Sequence, residues 1–175
     1  MSLTLYYKPN LFILNFLECV GPLTYKLLQS TALSSQLPAE SVLILGEENG
    51  ILTDNGVRNY WLAERQKTTG QGFIFRIDYC KRLIAGFQIK NIGIGENSHY
   101  ATDQFQIFGS SKENGPWKML ADYHLADTRG KAAPLLNFTF DEPVEIQFIK
   151  FELVSYWGGN GGGLQYFAAI PATSK

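Results

Sequence analysis

The sequence predicts an all-β domain, a jelly-roll β-sandwich, on two observations. Apolar and polar residues alternate with a period of two in several separate runs, which is the pattern of half-buried strands. Clusters of glycine, proline and asparagine separate those runs and supply the turns. The 175 residues are 45% hydrophobic and 14% aromatic but only 18% charged, a composition that favours one well-packed domain.

The alternating runs predict both the strands and the core. The strands expected are 41–46, 73–79, 83–90, 104–108, 117–120, 137–140 and 147–154, followed by a short strand after a glycine-rich loop. The side chains expected in the core are Phe75, Ile77, Phe87, Ile89, Phe105, Ile107, Ile149, Phe151 and Leu153. Residues 47–60 are rich in Gly, Asn and Asp and predict a long surface loop. The sequence suggests one helix, near residues 23–32.

The first 40 residues predict an N-terminal extension that packs on the domain or acts as a connector, and residues 41–175 form the predicted sandwich. The apolar run at 11–17 is interrupted by Asn15, so it is too short and too polar to span a bilayer. It meets the criteria for a signal peptide only in part. The location therefore stays open between extracellular and cytoplasmic.

Two cysteines, Cys19 and Cys80, are present, and they form no metal-ligand spacing. Each lies in or beside a mostly apolar run. This setting favours buried free thiols, although a single bridge between them stays open.

Several function classes are disfavoured by composition and motif. A net charge of −1 provides no electrostatic footprint for nucleic acid or for an anionic membrane. The two histidines, His99 and His124, have no catalytic motif around them, so we expect a protein that is not an enzyme.

A series of motifs runs along about residues 40–171. In order, they are Asp54-Asn-Gly, Tyr60-Trp-Leu-Ala, Phe75-Arg-Ile-Asp, Ile84-Ala-Gly-Phe-Gln-Ile, Ala101-Thr-Asp-Gln-Phe-Gln-Ile-Phe-Gly, Gly115-Pro-Trp, Phe140-Asp-Glu-Pro, Ile149-Lys-Phe-Glu-Leu and Gly163-Leu-Gln-Tyr-Phe. In this order the motifs resemble the discoidin family, also called the coagulation factor 5/8 type C domain, of the galactose-binding-like superfamily. The resemblance implies a binding module whose loops at one end of the sandwich hold a ligand. It also implies that Trp61 and Trp117 are core residues.

The glycine-rich loop carries the first candidate ligand residues, Tyr156, Trp157 and Asn160. An exposed aromatic ring can stack on the apolar face of a sugar while an amide bonds the hydroxyl groups. The alternative is that Trp157 caps the sandwich as part of the core.

Three further candidates, Arg58, His99 and Tyr100, rest partly on the resemblance. Sugar-binding members of the family often bond hydroxyl groups with His and Arg in the loop that corresponds to residues 93–103. Arg58 and Arg65 flank the loop of residues 47–60 and can reach a hydroxyl or a carboxylate. Solvated arginines and an ordinary turn histidine are the plainer interpretations.

The loop at Asp54 is the candidate metal site. Similar domains place a structural calcium in this region, and calcium prefers six to eight oxygen ligands. Asp54 is the one clear carboxylate in an oxygen-rich loop with Asn55 and Asn59, and an Asx-type turn is the favoured interpretation. Gln165, Tyr166 and Phe167 stand where the family often has an acidic residue, which weighs against calcium.

The leading hypothesis is therefore a non-catalytic module that binds carbohydrate or a glycoprotein through loops at one end of a β-sandwich. The alternative is a protein-interaction or assembly module that uses the same loops on a protein partner. A third hypothesis is lipid-surface adhesion through apolar loop tips, which the lack of a basic cluster weakens.

Overall fold

A computed structural model describes residues 22–23, 25–31, 61–95 and 98–173 of the chain. These residues form nine strands: β1 (Tyr25–Ser30), β2 (Trp61–Leu62), β3 (Gly72–Ile77), β4 (Arg82–Asn91), β5 (Gln104–Ser110), β6 (Lys118–His124), β7 (Leu135–Ile146), β8 (Phe148–Leu153) and β9 (Gly163–Pro171). A 3-10 turn spans Ser98–Tyr100. The described part of the chain is thus all-β, as the alternation predicted.

The strands form two antiparallel sheets that face each other. The first sheet has the order β1-β3-β8-β5-β6, and the second has the order β2-β9-β4-β7. One end of the sandwich contains the end of β4, the start of β5, the end of β8 and the start of β9, because these strands pair in antiparallel register. The residues at these four termini are Asn91, Gln104, Leu153 and Gly163. We call this end of the sandwich the loop end.

The core consists of the inward-facing side chains of both sheets. All nine side chains that the alternation assigned to the core are at most 4% exposed, so that prediction is confirmed. Phe73 and Phe151 stack with their ring centroids 4.8 Å apart, and Trp61 contacts Phe73 edge-on at 5.6 Å. Such aromatic pairs contribute about 0.5–1.5 kcal/mol each beyond the burial of their area.

Two sequence-based expectations are wrong in the first sheet. The region expected to be helical forms β1, which pairs with β3 at its edge. Trp117 is half-buried outside the core, and the ammonium group of Lys150 lies 5.3 Å from the centroid of its ring.

The thiol prediction is also wrong at Cys80, which is disulfide-bonded. Cys19 lies outside the described residues. So do the strand expected at 41–46 and the loop expected at 47–60. β1 precedes residue 41, where we expected the sandwich to begin, and its pairing with β3 makes it part of the first sheet.

The hydroxyl of Tyr25 links the two sheets. It accepts a hydrogen bond from the backbone N–H of Ala169 at 3.0 Å and donates to the carbonyl of the same residue at 3.3 Å. Ala169 lies on a part of β9 that β2 leaves uncovered, since β2 pairs only with Gly163 and Leu164. Burial raises the pKa of Tyr25 to about 12, and the hydrogen bond from Ala169 offsets part of that rise.

Tyr25→Phe should change how the stability depends on pH. The folded-state pKa lies above the unfolded value of about 10, so the native state keeps the proton longer. Protonated Tyr25 therefore contributes to the free energy of unfolding. This contribution is complete below about pH 10 and falls as the pH rises toward 12, by about 1.4 kcal/mol at pH 11. Urea denaturation from about pH 9 to about pH 11 should show a wild-type advantage that shrinks with pH. A constant difference between the two proteins would contradict the raised pKa.

Candidate functional site

The loop end rests on a buried network of hydrogen bonds around Asn91 and Thr102. The amide oxygen of Asn91 accepts from the backbone N–H groups of Ile92 and Thr102, each at 2.9 Å, and its amide nitrogen donates to the Thr102 carbonyl at 2.8 Å. The hydroxyl of Thr102 donates to the carbonyl of Gly163 at 2.9 Å and accepts from its N–H at 3.0 Å. The network therefore fixes the end of β4 and the starts of β5 and β9 relative to one another.

The loop after β8 lies directly against the loop before β5. Thr102 and Tyr156 form an isolated β-bridge, and the N–H of Trp157 donates to the carbonyl of Ala101 at 2.9 Å. Gly158 follows with no room for a side chain, because a Cβ there would stand 1.7 Å from the carbonyl oxygen of His99. The described residues of the loops at 93–103 and 155–163 therefore lie together at the loop end, while the loop expected at 47–60 lies outside the described residues.

A third segment, the turn after β2, completes this group of loops. The N–H of Gln66 donates to the backbone carbonyl of Asn160 at 2.9 Å. Asn160 is half-buried, and its backbone links the turn to the glycine-rich loop. We call the surface formed by residues 64–66, 98–101 and 156–161 the loop surface.

Trp157 is 40% exposed on the loop surface. Its indole N–H donates to the carbonyl of Leu125 at 2.9 Å, while its backbone is held by Ala101. The ring is therefore fixed at two points and lies outside the core. Of the two interpretations that the sequence left open, this geometry matches the exposed aromatic surface. Tyr156, by contrast, is half-buried and packs against the core.

Arg65 is the arginine that the structure brings to this surface. It is exposed, and its Nε donates to the hydroxyl of Tyr100 at 3.2 Å. Tyr100 is only 3% exposed, so a buried ring carries the hydroxyl that accepts this hydrogen bond. The ring of His99, half-buried, lies 4.9 Å from that of Tyr100. Arg58, the arginine first selected from the sequence, lies outside the described residues.

A second polar cluster, which the sequence did not reveal, lies beside Leu125. The hydroxyl of Ser155 donates to Asp103 Oδ2 at 2.8 Å, and His124 Nδ1 lies 3.0 Å from Asp103 Oδ1. Asp103 and Ser155 are separated by 52 positions. No local motif announces such a contact, and only the register of β5 with its neighbours would have indicated it.

The metal prediction at Asp54 falls outside the described residues. Within the described residues, no group of three or more His, Cys, Asp or Glu side chains is placed to hold a metal ion. On β9, Tyr166 and Phe167 are buried, and Tyr166 lies 3.4 Å from the amide oxygen of Gln88. Over the same residues, no helix has the length and apolar character needed to cross a membrane.

The fold of this chain is similar to that of several solved structures. No protein-family model and no curated protein sequence matches the chain. A carbohydrate-binding module of family 32 from a Clostridium perfringens family 31 glycoside hydrolase superposes with a TM-score of 0.56 at 12% identity, covering 85% of this chain and 93% of that one.

Two further solved structures give the same result. The family 32 module of C. perfringens NanJ, solved in complex with galactose, has a TM-score of 0.53 at 16% identity and covers 83% of this chain and 90% of its own. The family 32 module of Streptococcus pneumoniae EndoD has a TM-score of 0.53 at 17% identity, covering 85% and 96%. At these identities the likeness shows the fold. The chain has the same antiparallel β-sandwich fold as these modules.

Gly158→Ala should disturb the loop surface, whereas Gly159→Ala should not. A methyl group at Gly158 collides with the backbone of His99, while a Cβ at Gly159 meets nothing within 4 Å. Because the collision is with backbone, we expect the first variant to lose about 1–3 kcal/mol of unfolding free energy. Chemical denaturation of both variants checks this. Equal stabilities would show that the two loops separate without cost.

Calcium at about 1 mM, the weak end of protein calcium sites, should raise the Tm little. The loop at Asp54 offers one clear carboxylate, and β9 offers none at Gln165, Tyr166 and Phe167. Any ion that binds the native state raises the Tm by mass action. Calorimetry with calcium and with EDTA measures this rise. A large calcium-dependent increase that Asp54→Ala abolishes would establish a calcium site.

Proposed function

We propose that this protein is a non-catalytic carbohydrate-binding module that holds a sugar on the loop surface. The observation that carries the proposal is Trp157, an exposed indole whose orientation is fixed at two points beside polar side chains. Ligand sites commonly combine an aromatic wall with a few convergent polar groups. The buried hydrogen bonds of Asn91 and Thr102 beneath the loops hold this arrangement in place.

The polar side chains supply the hydrogen-bond donors and acceptors that the hydroxyl groups of a sugar require. Arg65 presents guanidinium N–H donors, and its Nε is already held by Tyr100. His99 presents a ring nitrogen that can accept or donate according to its tautomer. Together with stacking on Trp157, these groups would fix both the face and the orientation of a sugar. Galactose is the first sugar to test, because the structurally similar NanJ module was solved with it.

The arrangement of Ser155, Asp103 and His124 differs from that of a hydrolytic triad. In a hydrolytic triad the imidazole lies between the hydroxyl and the carboxylate, so that it removes the hydroxyl proton. Here the carboxylate of Asp103 lies in the middle, and the serine hydroxyl bonds to it directly. The serine therefore has no imidazole to activate it.

Trp157→Ala should weaken sugar binding and leave the fold intact. Loss of the stacking surface should cost about 1–3 kcal/mol of binding free energy, about five- to 150-fold in Kd. The lost hydrogen bond to Leu125 should cost about 1 kcal/mol of stability, well below the roughly 3–5 kcal/mol of a core tryptophan. Titration with galactose and with a glycan array measures the first quantity, and denaturation measures the second.

Tyr79→Ala is the matched control for this experiment. Tyr79 is 85% exposed and lies between β3 and β4, at the end of the sandwich opposite the loop surface. Its removal should leave sugar binding unchanged. Unchanged binding in Trp157→Ala, or an equal loss in both variants, would place the site elsewhere.

Lipid-surface adhesion is favoured by one observation, the 62% exposure of Ile94 between β4 and the 3-10 turn. An apolar loop tip of this kind can enter a membrane interface. Sedimentation with phosphatidylserine vesicles tests this hypothesis. Vesicle binding that Ile94→Ser abolishes, without glycan binding, would favour it over the carbohydrate proposal.

A further inference from the structure

The indole of Trp157 lies between two polar clusters. Its backbone bonds to Ala101, beside His99 and Arg65, whereas its indole N–H reaches the carbonyl of Leu125, next to His124. The proposed sugar site uses the first cluster. The second cluster, formed by Asp103, His124 and Ser155, has no role in it.

The second cluster holds one exposed imidazole in a defined orientation. Ser155 accepts a hydrogen bond from the N–H of Gln104 at 3.1 Å and donates to Asp103, which fixes that carboxylate. An ionised carboxylate only accepts hydrogen bonds, so Nδ1 of neutral His124 carries the proton toward Asp103. The side chain of His124 is nevertheless 67% exposed. Its Nε2 is thus an oriented acceptor on the solvent side.

We infer that the binding site extends past Trp157 to His124 and takes a disaccharide or a longer glycan, with the second sugar residue bonded at His124. The inference rests on the proposed function, because it assumes that a first sugar stacks on Trp157. Nε2 of His124 accepts a hydrogen bond from a hydroxyl group of the second sugar. Asp103 acts as a positioning residue, since it sets the tautomer and the direction of the ring.

The geometry favours a ligand role over a purely structural one. His124 gives Asp103 one hydrogen bond and its side chain is 67% exposed, so the rest of the imidazole is accessible to a ligand. Asp103 is 22% exposed and does not need the imidazole for its own satisfaction, because Ser155 already donates to it.

The test compares one sugar with two in the same protein. Calorimetric titration of the wild type should give tighter binding for a β-linked galactosyl disaccharide, from a panel with lactose and the β-1,3 and β-1,6 linkages, than for methyl β-galactoside. One hydrogen bond of this kind predicts about a two- to tenfold gain. His124→Ala should remove the gain and leave the Kd for methyl β-galactoside unchanged, while His124→Gln should restore part of it.

Lys118→Ala is the control, because Lys118 is exposed at the opposite end of the same strand, β6. Its ratio of the two Kd values should equal that of the wild type. The inference is overturned if no disaccharide binds more tightly than methyl β-galactoside, or if His124→Ala weakens both ligands equally. A wild type that binds neither ligand contradicts the proposed function itself, which separates the two failures.

Discussion

The loop surface depends on the buried amide of Asn91. This side chain is 2% exposed, and the hydroxyl of Thr102 beside it is fully buried. A buried polar group without a partner costs about 1–3 kcal/mol, whereas here these donors and acceptors are paired across β4, β5 and β9. These hydrogen bonds hold the ends of the strands in one relative position. Within the described residues, each loop that carries a candidate ligand residue starts from one of these ends or contacts a loop that does.

The core and the loop surface have different requirements, and the chain separates them in space. The core is filled with packed aromatic rings around Phe73, Phe151 and Phe167. A substitution that changes the side-chain volume there should lower the stability. The loop surface uses glycines to bring backbones together, so that Trp157 can be held by backbone hydrogen bonds while its ring faces outward. A site built in this way requires little reorganisation when a ligand arrives.

Strands buried on one face were predictable from the sequence, because buried and half-buried residues alternate through most of β3, β5 and β8. In β1 the register shifts between Leu27 and Gln29, which breaks the period of two and produced the incorrect expectation of a helix. The candidate site was predictable only in part. The glycines around Trp157 are compatible with an exposed ring and with a buried ring, so the sequence could not decide its exposure. The contact between Asp103 and Ser155 depends on strand register and not on neighbouring residues in the sequence.

The hydrogen bonds between Tyr25 and Ala169 lie near the end of the sandwich opposite the loop surface. They join the start of β1 to the last part of β9, so both strands have these termini at the end of the sandwich away from Trp157. Anything attached beyond Pro171 is therefore separated from the loop surface by the length of the β-sheet. If the protein is anchored there, whether on a sensor chip or in a larger assembly, the loop surface points away from the anchor and stays accessible.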